Sequence, residues 1–305
     1  LYFRLPVEDL NYYPRQGFEV SYGGPNNAGE AQAMFTPWAS HSGRNLGLNG
    51  DHLRWWSVDR GTRGIDGDRL DDDHTPWTLI RNVNLFIDII PTLDVDDQIK
   101  TQYRGEAAFI RAFAYFGLAK RYGGVPIITE AQVFEGNPDD LLVTRSTEKE
   151  TWDFVLSECD VAIANLEGIE VPQARKASKW AALALKSRAA LFAASVAKFG
   201  SEIDLAGPAV AEGLVGLPAS AADDYYQQCL DASKELMDGP FSLYGASPAS
   251  PEEAAQNFQA MFVDPDLALG TEAIFIKGKT LQGEFQANNY DIWFNPHQTR
   301  NGWPH

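Results

Sequence analysis

Residues 104–128, RGEAAFIRAFAYFGLAKRYGGVPII, give the clearest prediction of the fold. The apolar residues of this stretch recur at helical spacing in two neighbouring stripes. The two stripes consist of Phe109, Ala112, Phe113 and Phe116, and of Ile110, Ala114 and Leu118. Because apolar residues on both sides need covering, this helix is predicted to lie inside a larger stack of helices. Gly123 suits the end of the helix, and Pro126 prevents the helix from resuming.

Helical patterns extend on both sides of this stretch. Pro76 suits the first position of a preceding helix, with Thr75 as its N-cap. A later helix opens at Thr147 and Glu150, which match a capping box. Further helices are predicted at residues 177–199 and 223–237. Helix pairs that recur in this way are typical of tetratricopeptide-like stacking, so the sequence predicts a mainly α fold.

The regions outside this helical part show weaker patterns. Residues 1–75 are rich in Gly, Asn, Asp, Pro, Trp and Tyr without sustained periodicity, which predicts long irregular loops. Beyond residue 246 the helical signal fades, and residues 273–277 (AIFIK) are interpreted as a short strand. The chain is therefore divided into a loop-rich part at 1–75, a helical scaffold at 76–245 and the start of a second loop-rich part at 246–305.

Charge and cysteine content exclude some classes of partner and framework. The chain has 305 residues and a formal net charge of −17. Such an acidic surface argues against a basic patch for nucleic acid, so no nucleic acid partner is predicted. Two cysteines, Cys159 and Cys229, are too few for a disulfide framework, and Cys159 is expected to pack as a small apolar residue. No uninterrupted run of about eighteen apolar residues is present, so no membrane-spanning helix is predicted.

The sequence offers little support for catalysis or metal binding. Its five histidines are scattered without metal-ligand spacing, and no nucleophile or phosphate-binding motif is found. The acidic run Asp71–Asp73 does not match a calcium-binding loop and is interpreted as a solvated loop. We therefore predict no catalytic residue, no cofactor and no metal site.

The motif at residues 106–126 closely resembles the signature of SusD/RagB proteins, the nutrient-binding lipoproteins of the Bacteroidetes outer membrane. The matching positions are Glu106, Ala107, Phe109, Ile110, Arg111, Ala112, Tyr115, Phe116, Tyr122, Gly123, Gly124, Val125 and Pro126. Residues 77–84, 179–191 and 223–237 resemble further helices of this family. The resemblance implies a SusD-like α/α superhelix with long loops and few short strands, in which the motif is structural and touches no ligand.

The resemblance also implies a function. It implies a cell-surface protein that binds an oligosaccharide or polysaccharide and delivers it to a TonB-dependent, SusC-like outer-membrane transporter without catalysis. It further implies that residues 1–305 are a single SusD-like domain that is incomplete at both ends. The implied location is the outer membrane, through a lipid anchor that is not present in this chain.

Aromatic residues in the loops are the candidates for ligand binding. Sugars expose both apolar C–H faces and hydroxyl groups, so a glycan site needs exposed aromatic rings beside amides or charged groups. A patch of exposed apolar side chains is itself typical of a binding site. The predicted ligand-binding residues are Trp38, Trp55, Trp56, Asn289, Tyr290 and Trp293. Trp77, Trp152 and Trp180 have helical spacing instead and are predicted to lie in the core.

Two other functions remain open at this stage. A helical glycoside hydrolase would need paired carboxylates on either side of a glycosidic bond, and the many acidic residues allow such pairs although none stands out. A tetratricopeptide-type adaptor would bind a protein through the concave face of its helices. The aromatic-rich loops argue against the adaptor, because protein binding by the helices does not require them.

Overall fold

The computed structural model describes residues 1–2, 5, 12–13, 17–18, 76–170, 175–264, 266–267 and 271–276. The chain forms two compact units, one with residues 1–5 and 76–277 and the other with residues 6–75 and 278–305. In the second unit, a short antiparallel hairpin pairs β1 (Tyr12–Tyr13) with β2 (Gly17–Phe18). The helices described below belong to the first unit.

The first unit is a stack of helices, which confirms the mainly α fold. The helices are α1 (Pro76–Ile89), α2 (Asp97–Tyr122), α3 (Glu148–Asn165), α4 (Lys179–Phe199), α5 (Ala222–Met237) and α6 (Pro251–Val263). Along the chain, α1 packs against α2, α2 against α3, α3 against α4 and α4 against α5. Between them lie 3₁₀ turns at Ile90–Thr92, Pro138–Leu141, Gly200–Glu202 and Ala219–Ala221, and a four-residue helical turn at Pro208–Ala211.

The core lies around α2, whose two apolar stripes are buried as predicted except for Phe113, which is partly buried. Phe109 and Phe116 of one stripe and Ile110 and Leu118 of the other are almost inaccessible to solvent. Trp152 of α3 is fully buried beside Phe116, with 6.0 Å between the ring centroids. A helix covered on both sides is held by packing rather than by its intrinsic propensity, because isolated helices are marginally stable in water.

Two of the predicted tryptophans sit nearer the edge of this core than Trp152 does. Trp77 is partly buried and meets the ring of Tyr115 edge-on at 6.3 Å. Trp180 is also partly buried and meets Phe241 edge-on at 6.1 Å. All three therefore serve packing, although only Trp152 is fully enclosed.

Helix starts follow the capping signals in the sequence. The Thr147 hydroxyl accepts a hydrogen bond from the Glu150 backbone N–H at 3.1 Å, and the Glu150 carboxylate accepts one from the Thr147 N–H at 2.8 Å. This confirms the predicted capping box, a feature that stabilises a helix by about 1 kcal/mol. The α4 helix begins at Lys179 because Ser178 is its cap, two residues after the predicted start at Ala177.

The α4 helix is long and apolar enough to cross a membrane by length and composition alone. Half of its most apolar window is nevertheless buried inside the helical stack. The buried face consists largely of alanines, which allow neighbouring helices to approach closely. Its hydropathy is therefore explained by its place between α3 and α5.

The structure corrects two predictions for the region after residue 246. A helix, α6, occupies Pro251–Val263, capped by Ser250 and opened by Pro251. The helix starts at a local signal, but the Pro- and Ser-rich residues 246–251 at its start also favour a loop, so the helix was missed. The predicted strand is wrong over the described residues 273–276, where Phe275 packs on Phe109 of α2 at 5.1 Å instead of pairing in a sheet.

Candidate functional site

The two glycines that end α2 sit where other loops approach the backbone closely. Gly123 has a positive φ of 68°, a conformation that glycine adopts without strain. A Cβ atom on Gly124 would lie 2.0 Å from the carbonyl oxygen of Ser146. The Gly124 N–H donates to the Leu214 carbonyl at 2.8 Å. Neither position therefore tolerates a side chain, which gives the double glycine a structural explanation.

Side chains reinforce the same turn from two directions. Arg145 donates from Nε to the Gly124 carbonyl at 2.7 Å and from a terminal nitrogen to the Tyr122 carbonyl at 2.8 Å. The buried Glu148 carboxylate accepts from the Trp152 indole at 3.1 Å and from the Gly216 N–H at 2.6 Å. The turn thus locks together the end of α2, the start of α3 and the loop that precedes α5.

A second polar cluster fixes the chain as it leaves this turn. Arg111 of α2 makes two parallel hydrogen bonds to Glu158 of α3, at 2.8 and 2.9 Å, a geometry that favours the planar guanidinium. It also donates to the Asn84 side-chain oxygen at 2.9 Å. The Asn84 amide in turn donates to the carbonyls of Ile128 and Glu130 at 3.0 and 3.1 Å. Three helices therefore hold one short segment in place.

Tyr115 completes this cluster. Its hydroxyl accepts from the Ile128 N–H at 2.7 Å and donates to the Pro126 carbonyl at 3.2 Å. Burial raises the pKa of Tyr115 to about 12, because the charged phenolate is disfavoured away from water. Tyr115 thus stays neutral and links α2 to the backbone of residues 126–128 by hydrogen bonds. The motif at residues 106–126 contains Arg111 and Tyr115, but the sequence does not show which atoms their side chains contact.

The buried carboxylates of the described residues all have structural partners. They are Glu106, Glu148 and Glu158. Glu106 accepts hydrogen bonds from the hydroxyl of Tyr2 and the amide of Gln102, both at 2.8 Å. A glycosidase needs one free carboxyl group as acid and another as base or nucleophile. These three groups, tied to donors within the scaffold, do not offer such a pair.

The cysteine prediction is confirmed for Cys159, which is fully buried in α3. Burial raises the pKa of its thiol, and a thiol that stays protonated is a poor nucleophile and a poor metal ligand. Within the described part of the chain, no group of three or more His, Cys, Asp or Glu side chains is arranged to hold a metal ion.

The predicted ligand-binding residues all lie outside the described residues. They are Trp38, Trp55, Trp56, Asn289, Tyr290 and Trp293. The acidic run Asp71–Asp73 lies outside them as well. The geometry described above therefore belongs to the scaffold, and the glycan-binding residues stay a prediction.

The described residues define a class of protein: a stack of paired α-helices in which α2 ends at a buried double glycine that Arg145 holds by hydrogen bonds to the backbone. A family model of SusD-like proteins, described as "Starch-binding associating with outer membrane", matches residues 48–191. A curated SusD-like protein of Formosa agariphila is 42% identical over 90 residues. These matches show that this part of the chain is similar to SusD-like proteins.

Solved structures agree on the fold. One crystal structure has a TM-score of 0.57 at 17% identity and covers 84% of this chain and 44% of its own. Another, solved with xylogluco-oligosaccharide, has a TM-score of 0.52 at 18% identity and covers 75% of this chain and 39% of its own. The match to the Formosa agariphila protein covers 30% of this chain and 17% of that relative. The chain thus spans less than half the length of these relatives.

Proposed function

We propose that this protein binds an oligosaccharide or polysaccharide at the outer surface of a bacterial outer membrane and performs no chemistry on it. The observation that carries the proposal is the family match over residues 48–191, whose description joins starch binding to the outer membrane. The relative with xylogluco-oligosaccharide in its crystal shares the fold and supports the same class of ligand. In this proposal the protein holds the glycan and passes it to a TonB-dependent, SusC-like transporter.

The proposed contacts are aromatic and amide side chains of the loop-rich parts. Trp38, Trp55 and Trp56 would supply flat apolar faces for the C–H surfaces of sugar rings. Tyr290 and Trp293 would do the same near the other end of the chain, with Asn289 bonding hydroxyl groups. Binding by aromatic faces and amides needs no charge on the ligand, which fits a neutral glycan and an acidic protein.

The scaffold supports binding over hydrolysis. The three buried carboxylates of the described residues are committed to structural hydrogen bonds, and a bound glycan would meet no poised acid and base among them. A helical stack fixed by the Gly124 turn and the Arg111 cluster offers a rigid support, and binding sites commonly lie on loops carried by such supports.

Glycan binding is tested with purified protein and defined ligands. Isothermal titration with starch-derived oligosaccharides and xylogluco-oligosaccharide should show binding of at least one of them. A variant carrying Trp55→Ala, Trp56→Ala and Trp293→Ala should lose that binding. The matched control is Phe258→Ala, which removes an exposed aromatic ring from α6 and should bind as the parent does.

A second measurement separates binding from catalysis. The parent protein is incubated with the bound glycan, and new reducing ends are counted over a day. None should form. New reducing ends would establish a hydrolase, and a triple variant that binds as tightly as the parent would assign the site to other residues.

A further inference from the structure

The chain that leaves the double-glycine turn forms a closed loop, which we call the acidic loop (residues 129–144). Its sequence is TEAQVFEGNPDDLLVT. Below the loop, the Ser146 N–H donates to the Val125 carbonyl at 3.1 Å. Halfway along, the Gln132 amide donates to the Leu141 carbonyl at 2.9 Å and joins the two arms. At the tip, Asn137 caps a 3₁₀ turn by accepting from the Asp139 N–H at 3.2 Å.

Both arms of the acidic loop expose large apolar side chains. The exposed side chains are those of Val133 and Phe134 on one arm and Leu142 and Val143 on the other. Their exposed fractions range from 41% to 77%. Because the Gln132 bridge joins the residues next to them, the two pairs occupy neighbouring arms of one projection. Several large apolar side chains exposed on one projection are typical of a surface that another molecule covers.

The scaffold holds this projection at its root. Asn84 donates to the carbonyls of Ile128 and Glu130, where the first arm begins, and is itself held by Arg111. The Arg111–Glu158 ion pair lies within the helical stack, and a buried ion pair contributes little net stability compared with apolar packing. Its evident effect is to fix the direction in which the loop leaves the stack, and a fixed loop loses less entropy on binding than a free one.

The charge of the loop specifies what covers it. Its sixteen residues include four carboxylates, at Glu130, Glu135, Asp139 and Asp140, and no lysine or arginine. We propose that the acidic loop docks into an apolar pocket of a protein partner whose rim carries lysine and arginine. Charges around an apolar centre set the choice of partner and the rate of association. This inference stands apart from the proposed glycan site, because it uses none of the same residues.

Two other binding partners for the acidic loop, a second copy of the chain and a membrane surface, are disfavoured by its negative charge. In a two-fold symmetric dimer formed through this loop, the four carboxylates of one copy would face the four of the other. The loop has no lysine or arginine to neutralise them. An anionic membrane surface would repel the loop for the same reason. A basic-rimmed protein pocket satisfies both the apolar side chains and the carboxylates.

The proposal is tested first by photo-crosslinking of the full chain in its native cells. A benzoylphenylalanine replaces Phe134, and in a control it replaces Phe258, which is 65% exposed on α6 against 60% for Phe134. The crosslink from position 134 should reach one protein, at a peptide with lysine or arginine beside apolar residues. A crosslink to a second copy of this chain, to lipid, to a peptide without basic residues or to nothing would overturn the proposal.

The crosslinked protein, once purified, is the probe for affinity. Phe134→Ser should weaken binding by about tenfold, the effect of losing the burial of most of one aromatic side chain. Glu135→Lys should also weaken it, and added salt should weaken binding of the parent, since exposed charge pairs are screened. Phe258→Ser should change affinity by less than about twofold. Unchanged binding by Phe134→Ser refutes the docking role, and glycan titration of the same variant shows whether the glycan site is intact.

Discussion

Replacing Arg111 by methionine tests the central polar cluster of the scaffold. Methionine retains much of the length and apolar contact of the arginine stem but none of its five donors. The side chains of Arg111 and Glu158 are only 12% and 8% exposed, so the variant leaves a buried carboxylate without its cation. Breaking a buried ion pair in this way costs about 3–5 kcal/mol, whereas an exposed pair is worth at most about 1 kcal/mol. The Asn84 oxygen loses a donor as well.

The measurement is urea unfolding followed by the helical circular dichroism signal, with free energies of unfolding compared at a common slope. Lys149→Met is the matched control, because Lys149 pairs with Asp153 at 2.6 Å on the surface and both side chains are about half exposed. It should cost less than about 0.5 kcal/mol. The double variant Arg111→Met with Glu158→Leu should be more stable than Arg111→Met alone, since it removes the stranded charge. A cost below about 1 kcal/mol for Arg111→Met, or no recovery in the double variant, refutes this reasoning.

Two further predictions concern the double-glycine turn and Tyr115. Gly124→Ala should lower the free energy of unfolding by more than about 2 kcal/mol, because its Cβ would lie 2.0 Å from a backbone oxygen. The control Gly200→Ala, at a position with open space and a negative φ of −59°, should be neutral or stabilising by up to about 1 kcal/mol. Similar free energies of unfolding for the two variants in urea would contradict this packing argument. Neutral Tyr115 should contribute its full stabilisation below pH 10 and lose it as the pH rises from 10 to about 12, since its pKa in the folded state lies above the unfolded value. In Tyr115→Phe the free energy of unfolding should therefore fall less steeply over this pH range. An unchanged pH dependence of the free energy of unfolding would contradict this prediction.

The scaffold was largely predictable because its signals are local. The stripes of α2, the box at Thr147 and the amphipathic pattern of α5 each specify a helix from neighbouring residues. The α6 helix was missed although its start has a cap at Ser250 and a proline at its first position, because residues 246–251 (ASPASP) also favour a loop. The exposure of Phe258 is a feature of the tertiary structure that the sequence does not show. The strand predicted at 273–277 is wrong over the described residues 273–276, since a short apolar run also arises where irregular chain packs on a helix.

The candidate ligand residues show a different limit. Trp55 and Trp293 were chosen by composition, because aromatic residues among polar loop residues suit sugars. Composition does not specify which rings share one surface, and these residues lie outside the described part of the chain. Their role stays a prediction that the triple tryptophan variant tests.

Local sequence patterns are sufficient to predict helices α1 to α5, the capping box of α3 and the end of α2 at a double glycine, since these depend on residues a few positions apart. Tertiary structure alone decided what the motif does there. Gly124 meets the Ser146 backbone, Arg111 joins Glu158 across two helices, and Asn84 holds the root of the acidic loop. These contacts join residues 22 to 47 positions apart in the chain, and only the tertiary structure brings them together.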